Sequence, residues 1–196
     1  MRRLKMLAAV TPFLMAPMSG RPMNDAEGLA PLAVVEASAS QTVTAQYDKL
    51  DDLVFATLSA LPSDGTKEAR CLAQAIYFEA RSEDLEGQLA VAQVVLNRVA
   101  DPRYPASVCS VVFQNEHLPF RCQFSFACDG RSDNPYNMQA WAIARSIAQI
   151  ALSRQWRDLS GKATHYHAVY TEPYWVSQME RSATVGDHVF YRDTSF

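Results

Sequence analysis

The sequence predicts an α+β domain: a helical body followed by a small antiparallel β-sheet at its C-terminal end. Two patterns carry this. From Thr66 to about Arg154, apolar residues recur at helical spacing in three long stretches. After Gly161 the spacing turns to short alternating runs rich in Thr, Val, Tyr and Phe, which suit strands. Size and composition bound the answer. The 196 residues are 48% hydrophobic and 20% charged, a globular composition that excludes wholesale disorder and fits one domain of ordinary size. No internal repeat is visible.

Residues 1–20 read as an export signal or an N-terminal anchor. Arg2, Arg3 and Lys5 precede an apolar run from Met6 to Met18, broken by Thr11, Pro12 and Pro17. The run is shorter than the roughly 20 apolar residues of a membrane-spanning helix. Its prolines weaken it as a helix, so cleavage and retention both stay open. Residues 21–65 read as a linker, rich in Ala, Pro, Ser and Thr up to about 45. A short amphipathic helix is expected within 47–61, with Leu50, Leu53, Val54 and Leu58 on one side, ended by Pro62-Ser63-Asp64-Gly65.

The domain proper is expected over 66–196. Thr66 suits an N-cap for a helix from Lys67 to Arg81, whose apolar stripe is Cys71, Leu72, Ala75, Ile76 and Phe78. A second helix is expected from Glu86 to Val99, with Leu89, Ala92, Leu96 and Val99 on one face and Asp101-Pro102 as its stop. Residues 103–134, with Pro105, Pro119 and three cysteines, read as a long irregular segment, a feature that compact domains keep for function or pin in place. Pro135 suits the first turn of a third helix reaching about Arg154, with Met138, Trp141, Ala142, Ala148 and Leu152 buried. The runs Thr164–Thr171 and Ala183–Arg192 supply the sheet.

Charge and cysteines narrow the function. The formal net charge is −3, falling to −6 if residues 1–20 leave with their three basic residues, and no basic patch shows. That argues against a broad nucleic-acid binder. The four cysteines, Cys71, Cys109, Cys122 and Cys128, contain no Cys-x-x-Cys pair, which argues against a zinc ribbon or a dithiol redox motif. An even number behind an export-like start points to disulfides. Paired cysteines are not nucleophiles, and no Gly-x-Ser-x-Gly elbow occurs.

Glu79 is the carboxylate that stands out. It follows Tyr77 and Phe78 at the end of an apolar helix. Burial against aromatics disfavours the charged form and raises a carboxyl pKa, as a general acid at neutral pH requires. An ordinary helix-end glutamate paired with Arg81 or Arg98 is the plainer alternative. His165 and His167 share one face of a strand. With His188 or Asp187 they would suit a three-ligand zinc site, although no His-Glu-x-x-His motif is present.

The stretch CLAQAIYFEARSEDLEGQLAVAQVVLNRV resembles the SleB/CwlJ cell wall hydrolase family. The resemblance continues through Gln123-Phe124-Ser125, Asn134-Pro135, Gly161-Lys162-Ala163-Thr164 and Gly186-Asp187-His188-Val189-Phe190-Tyr191, covering about residues 69–192. The paired histidines and four cysteines look like the Gram-negative branch. The resemblance implies a lysozyme-like or lytic-transglycosylase-like helical core. It also implies a single catalytic glutamate at Glu79, and cleavage of the β-1,4 bond between N-acetylmuramic acid and N-acetylglucosamine in periplasmic peptidoglycan. No metal or cofactor is implied. Tyr77, Gln123, Phe124, Ser125, His165, Tyr166, His167 and Tyr191 are the candidates for holding glycan. Asn97 and Arg98 are expected to hold the second helix against the first.

One carboxylate suits a lytic reaction, in which the muramyl 6-hydroxyl is the nucleophile. Hydrolysis normally needs a second carboxylate, for which Glu83, Asp84, Asp129 and Asp187 are available. Hydrolytic muramidase, zinc-dependent N-acetylmuramoyl-L-alanine amidase and a non-catalytic wall-binding module remain the alternatives. A monomer is expected, with an envelope-machinery partner open. Of the three cysteine pairings, Cys71–Cys109 with Cys122–Cys128 is expected. It would fasten the catalytic helix to the irregular segment and brace the turn around Gln123-Phe124-Ser125. Separations of 38 and 6 residues correspond to about 4 and about 2 kcal/mol in the chain-entropy model.

Overall fold

The computed structural model describes residues 47–61, 65–118 and 121–194, which fall in one packed unit, Thr44–Phe196. The signal or anchor expected over 1–20, and the linker as far as residue 46, lie outside the described residues. Among these residues no helix is long and apolar enough to cross a membrane.

Helix α1, Leu50–Ala60, is where the sequence expects it, but it is no part of a linker. Leu50, Leu53 and Val54 sit at i, i+3 and i+4 and are buried in the main core. Leaving them in water would forfeit about 1.5–3 kcal/mol for each side chain. The packed body therefore begins before Thr66. Helix α2, Lys67–Ala80, starts at the predicted cap, where Thr66 Oγ1 accepts from the Ala69 N–H (3.2 Å). Its stripe of Cys71, Leu72, Ala75 and Ile76 is buried. Helix α3, Leu85–Ala100, is capped by Asp84, whose Oδ1 accepts from the Gly87 N–H (2.7 Å). It is buried on most sides, with Val91, Val94 and Val95 inaccessible along with Leu89 and Ala92.

The segment read as irregular contains a short helix, α4 (Val108–Val112), and a 3₁₀ turn over Ser125–Cys128. Ser107 caps α4, a cue available in the sequence but masked by the surrounding prolines. Helix α5, Met138–Leu152, begins three residues later than predicted. Asn137 is its cap, with Oδ1 accepting from the Ala140 N–H (3.0 Å). Pro135 stands outside the helix. The predicted buried face also shifts. Met138 is 65% exposed and Trp141, Ala142 and Leu152 are half-buried, while Ala144, Ile147, Ala148, Ile150 and Ala151 carry the burial. The reason is placement: the second half of α5 packs between α1, α2 and α3, and its first turn overhangs.

Three antiparallel strands follow: β1 (His165–Ala168), β2 (Glu180–Val185) and β3 (His188–Arg192), in spatial order β1-β3-β2. The predicted run Ala183–Arg192 thus folds back on itself at Gly186-Asp187. Gly186 has φ +53°, and a Cβ there would collide with Glu83. Phe190 joins Ala80, Ala90, Val91, Val94 and Ala163 in a second cluster that seats the sheet on α2 and α3. Both expected disulfides are present. Cys71–Cys109 ties α2 to α4 (Cα–Cα 5.2 Å), and Cys122–Cys128 closes the turn between them (6.1 Å).

Candidate active site

A groove of about 620 Å³ runs over the C-terminal end of α2. Glu79 reaches it from the last turn of that helix. Arg98 comes from α3, Tyr166 from β1, and Gln123, Phe124, Ser125 and Asp129 from the disulfide-closed turn. The turn is held in place by aromatic packing: Phe126 stacks on Phe78 of α2 (4.7 Å between centroids) and meets Phe113 and Phe124 edge-on or tilted. Phe78 thus anchors the groove wall while its neighbour Glu79 faces the opening.

Burial is the main influence on Glu79 and pushes its carboxyl above the usual carboxylate range. Two neighbours oppose this. The Tyr166 hydroxyl donates to Oε2 at 3.4 Å, and the Arg98 charge favours the ionised form. Tyr166 itself is pushed well above the ordinary tyrosine value, by burial first and the Glu79 charge second, so its hydroxyl keeps its proton and remains a donor. The outcome is an acid that stays protonated to higher pH than a surface glutamate, facing a donor and a cation that stabilise it once the proton is gone.

Arg98, which the sequence offers only as an ion-pair partner of Glu79 or a brace between helices, lines the groove itself. Its Nε donates to the Thr164 carbonyl (2.7 Å) and Gln123 Oε1 accepts from Nη1 (3.0 Å) and Nη2 (3.3 Å). The Tyr104 and Phe124 rings each lie 5.6 Å from the guanidinium carbon. Asn97 donates to Ser160 Oγ (3.1 Å) and the Ala163 carbonyl (2.9 Å). Both residues therefore fasten α3 to the segment entering β1, not to α2 as the sequence suggests. A signal was present: Arg98 continues the Val91-Val94-Val95 face of α3, where a charge is out of place unless it has work to do.

The other candidates divide by location. Gln123, Phe124, Ser125 and Tyr166 line the groove as expected, with Phe124 buried and Ser125 exposed. Tyr77 does not. It is fully buried, and its hydroxyl accepts from the backbone N–H groups of Tyr136 (3.1 Å) and Asn137 (2.9 Å), pinning the start of α5. Helix geometry explains this, since Tyr77 and Glu79 are two residues apart and point to different sides. His165, His167 and Tyr191 lie on the face of the sheet opposite Tyr166. Strand alternation separates them: His165 pairs with Tyr191, and Tyr166 with Phe190. There they form an aromatic cluster closed by Trp175, with His167 Nε2 3.1 Å from the Tyr191 hydroxyl.

His165 and His167 do share a face, but His188 falls on the other one, beside Tyr166. Among the described residues no three His, Cys, Asp or Glu side chains are grouped to hold a metal ion. The set that the zinc reading needs is not assembled there. Of the spare carboxylates, Asp84 caps α3, Glu83 binds the Asp187 N–H (2.8 Å) and Asp187 sits in the β2–β3 turn. Asp129 alone among these four lines the groove.

Fold and site together define a helical hydrolase-type domain with a small sheet and one half-buried acid in an open groove. Residues 82–191 match the model of the Cell Wall Hydrolase family, and the chain belongs to that family. Glu79 stands just ahead of the matched segment. The chain is 35% identical over 125 residues to the spore cortex-lytic enzyme of Bacillus subtilis (strain 168), covering 63% of this chain and 37% of that one. It is 34% identical to the corresponding enzyme of Halalkalibacterium halodurans, covering 63% and 34%. The chain thus spans about a third of the length of these curated relatives. Among solved structures, the catalytic domain of the Bacillus cereus SleB protein superposes with a TM-score of 0.53 at 28% identity, covering 67% of this chain and 95% of that one. The catalytic domain of the germination-specific lytic transglycosylase SleB from Bacillus anthracis gives 0.52 at 26%, covering 67% and 100%. The architecture is the lysozyme-like one that the resemblance implies.

Proposed function

We propose that this domain cleaves the β-1,4 bond between N-acetylmuramic acid and N-acetylglucosamine in peptidoglycan, with Glu79 as its general acid and base, as a lytic transglycosylase. The observation that carries the reading is one carboxyl, raised by burial and open to a groove of about 620 Å³. Protonated Glu79 donates to the glycosidic oxygen as the C1–O bond breaks and positive charge spreads over C1 and the ring oxygen. The Glu79 carboxylate stabilises that charge, while the Tyr166 hydroxyl and Arg98 keep the carboxylate from being too strong a base. It then removes the proton from the muramyl 6-hydroxyl, whose oxygen bonds to C1 and closes a 1,6-anhydro ring. Arg98, Gln123, Phe124 and Ser125 supply donors, an acceptor and an apolar wall for the sugar rings. The Bacillus anthracis relative is a lytic transglycosylase by name, which supports the same outcome here.

Hydrolysis is the second reading, because Asp129 lines the same groove and could activate water. Product analysis separates the two. Mass spectrometry of digested peptidoglycan is expected to show anhydromuramyl ends, and Asp129→Asn is expected to leave them unchanged. Reducing ends that vanish in Asp129→Asn would establish hydrolysis instead. Activity is expected to survive EDTA, and loss on chelation would revive the amidase. A Glu79→Gln protein that binds wall without cutting it would separate catalysis from adhesion. The export-like N-terminus and two disulfides support action in the periplasm. The reading takes the protein as a monomer.

A further inference from the structure

Four residues beyond Glu79, just past the end of α2, stands a second glutamate that the groove does not use. The Glu83 side chain is only 10% exposed. Its Oε2 accepts from the Asp187 N–H at 2.8 Å, and its Oε1 lies 3.7 Å from His188 Nδ1. Gly186 leaves room for this approach, since any side chain there would strike the Glu83 carboxylate. The His188 side chain is also 10% exposed, and its Nδ1 is buried without a hydrogen-bond partner. Its ring stands edge-on to Tyr166, 5.1 Å between centroids at 88°. Tyr166 then reaches Glu79 at 3.4 Å. A continuous line of contacts runs from Glu83 through His188 and Tyr166 back to Glu79 on the same helix.

An acid and an imidazole are an expensive way to fill this space, because burying either costs free energy that an apolar pair would not. Their best-supported use is to specify one arrangement over others. Phe190 rests on Ala80, Ala90 and Val94, and Asn97 and Arg98 hold the segment entering β1, which leaves the β2–β3 end of the sheet to be fixed. The Glu83 contacts to Asp187 and His188 grip the β2–β3 turn at a single point, and β3 carries β1 by register, with Ala168 opposite His188 and Tyr166 opposite Phe190.

We propose that Glu83 and His188 are positioning residues: their buried contact clamps the β2–β3 turn to the end of α2 and so sets Tyr166 against Glu79. The proposal rests on the reading of Glu79 as the general acid. Glu83, Asp187, His167 and Tyr166 are the titratable groups around His188. Burial holds His188 below its ordinary value, while Glu83 and Asp187 oppose that. Protonation puts a charged donor opposite Glu83 and tightens the clamp as pH falls.

The test compares wild type with His188→Leu, His188→Asn and Glu83→Gln. The readings are kcat and KM on purified peptidoglycan from pH 4 to 8, with thermal melts alongside. His188→Leu fills the space but removes the grip, and is expected to lower kcat roughly 10-fold with KM nearly unchanged, the mark of a misplaced group. His188→Asn keeps a donor near Nδ1 and is expected to restore most of the loss. Glu83→Gln keeps an acceptor for the Asp187 N–H and is expected to lower kcat less than His188→Leu. With the Glu83 charge gone, one influence holding the His188 pKa up is lost, and any His188 dependence of the profile is expected to move to lower pH. A folded His188→Leu with wild-type kcat and profile overturns the proposal, and so does a change confined to KM. If His188→Leu does not fold, an unshifted Glu83→Gln profile overturns it. Glu79→Gln separates the levels. If it is active, the general-acid reading itself falls. If it is inert while His188→Leu is fully active, only the clamp falls.

Discussion

Replacing Tyr166 by phenylalanine removes one oxygen from the site and nothing else, which makes its effect calculable. The Tyr166 hydroxyl donates to Glu79 Oε2 at 3.4 Å and stabilises the ionised carboxylate. A hydrogen bond to a charged group is worth about 1.5–3 kcal/mol at good geometry. At 3.4 Å it lies beyond the usual O–H···O range, so about 1 kcal/mol is the fitting share. About 1 kcal/mol is roughly a fivefold change in the protonation equilibrium, so its loss raises the Glu79 pKa further. A general acid works in its protonated form, so activity fades as pH rises through that pKa. The basic limb of the kcat/KM profile is therefore expected to move to higher pH in Tyr166→Phe, with activity on that limb up roughly fivefold relative to the optimum. The ring contacts with Phe190 and His188 survive the change, and a melt curve confirms that they have. A limb that stays in place, or moves to lower pH, would refute the electrostatic account of the site. A rise in KM with no movement of the limb would recast Tyr166 as a glycan contact only.

Glu79→Gln is expected to lower turnover on peptidoglycan by at least about 100-fold and to raise stability near neutral pH. The folded-state pKa of Glu79 lies above its unfolded value, so the wild type loses stability as pH rises from the unfolded pKa through the folded one. Melts of the two proteins are expected to converge in acid and to separate at pH 7, with the variant higher. Replacing Cys122 and Cys128 by serine is expected to cost about 2 kcal/mol, and the Cys71–Cys109 pair about 4; denaturant titration measures both. The shorter link braces the groove wall, so its loss is expected to raise KM, whereas losing the longer one mainly lowers the unfolding midpoint. Tyr77→Phe strands the Tyr136 and Asn137 N–H groups. It is expected to destabilise by about 2 kcal/mol, a Tm drop of roughly 4–8 °C, with KM unchanged because Tyr77 lies outside the groove.

Much of this was readable in advance. Caps at Thr66 and the helical spacing through α2 and α3 are local, and local cues place elements well. Glu79 drew notice by its position after two aromatics, the family resemblance supplied the catalytic expectation, and burial raises its pKa. The cysteine pairing followed from where the helices and the irregular segment had to lie. The candidates that do not line the groove share one cause, which is the direction in which a side chain points once elements pack. Tyr77 is adjacent to Phe78 and Glu79 in the chain but faces α5. His165 and His167 flank Tyr166, yet the pleat turns them to the far side of the sheet.

The amino-acid sequence by itself determined the main helices and the two covalent links and singled out Glu79 as the candidate acid, because each depends on spacing or motif along the chain. Only the tertiary structure decided which neighbours surround the acid. Arg98, Tyr166 and Gln123 come from α3, β1 and the disulfide-closed turn, separated by tens of residues. Their meeting at Glu79 depends on how α3 and the sheet seat on α2, through the Phe190 cluster and the Glu83–His188 contact. Burial, and with it the acidity of Glu79, is a property of that packing and has no representation in any one segment.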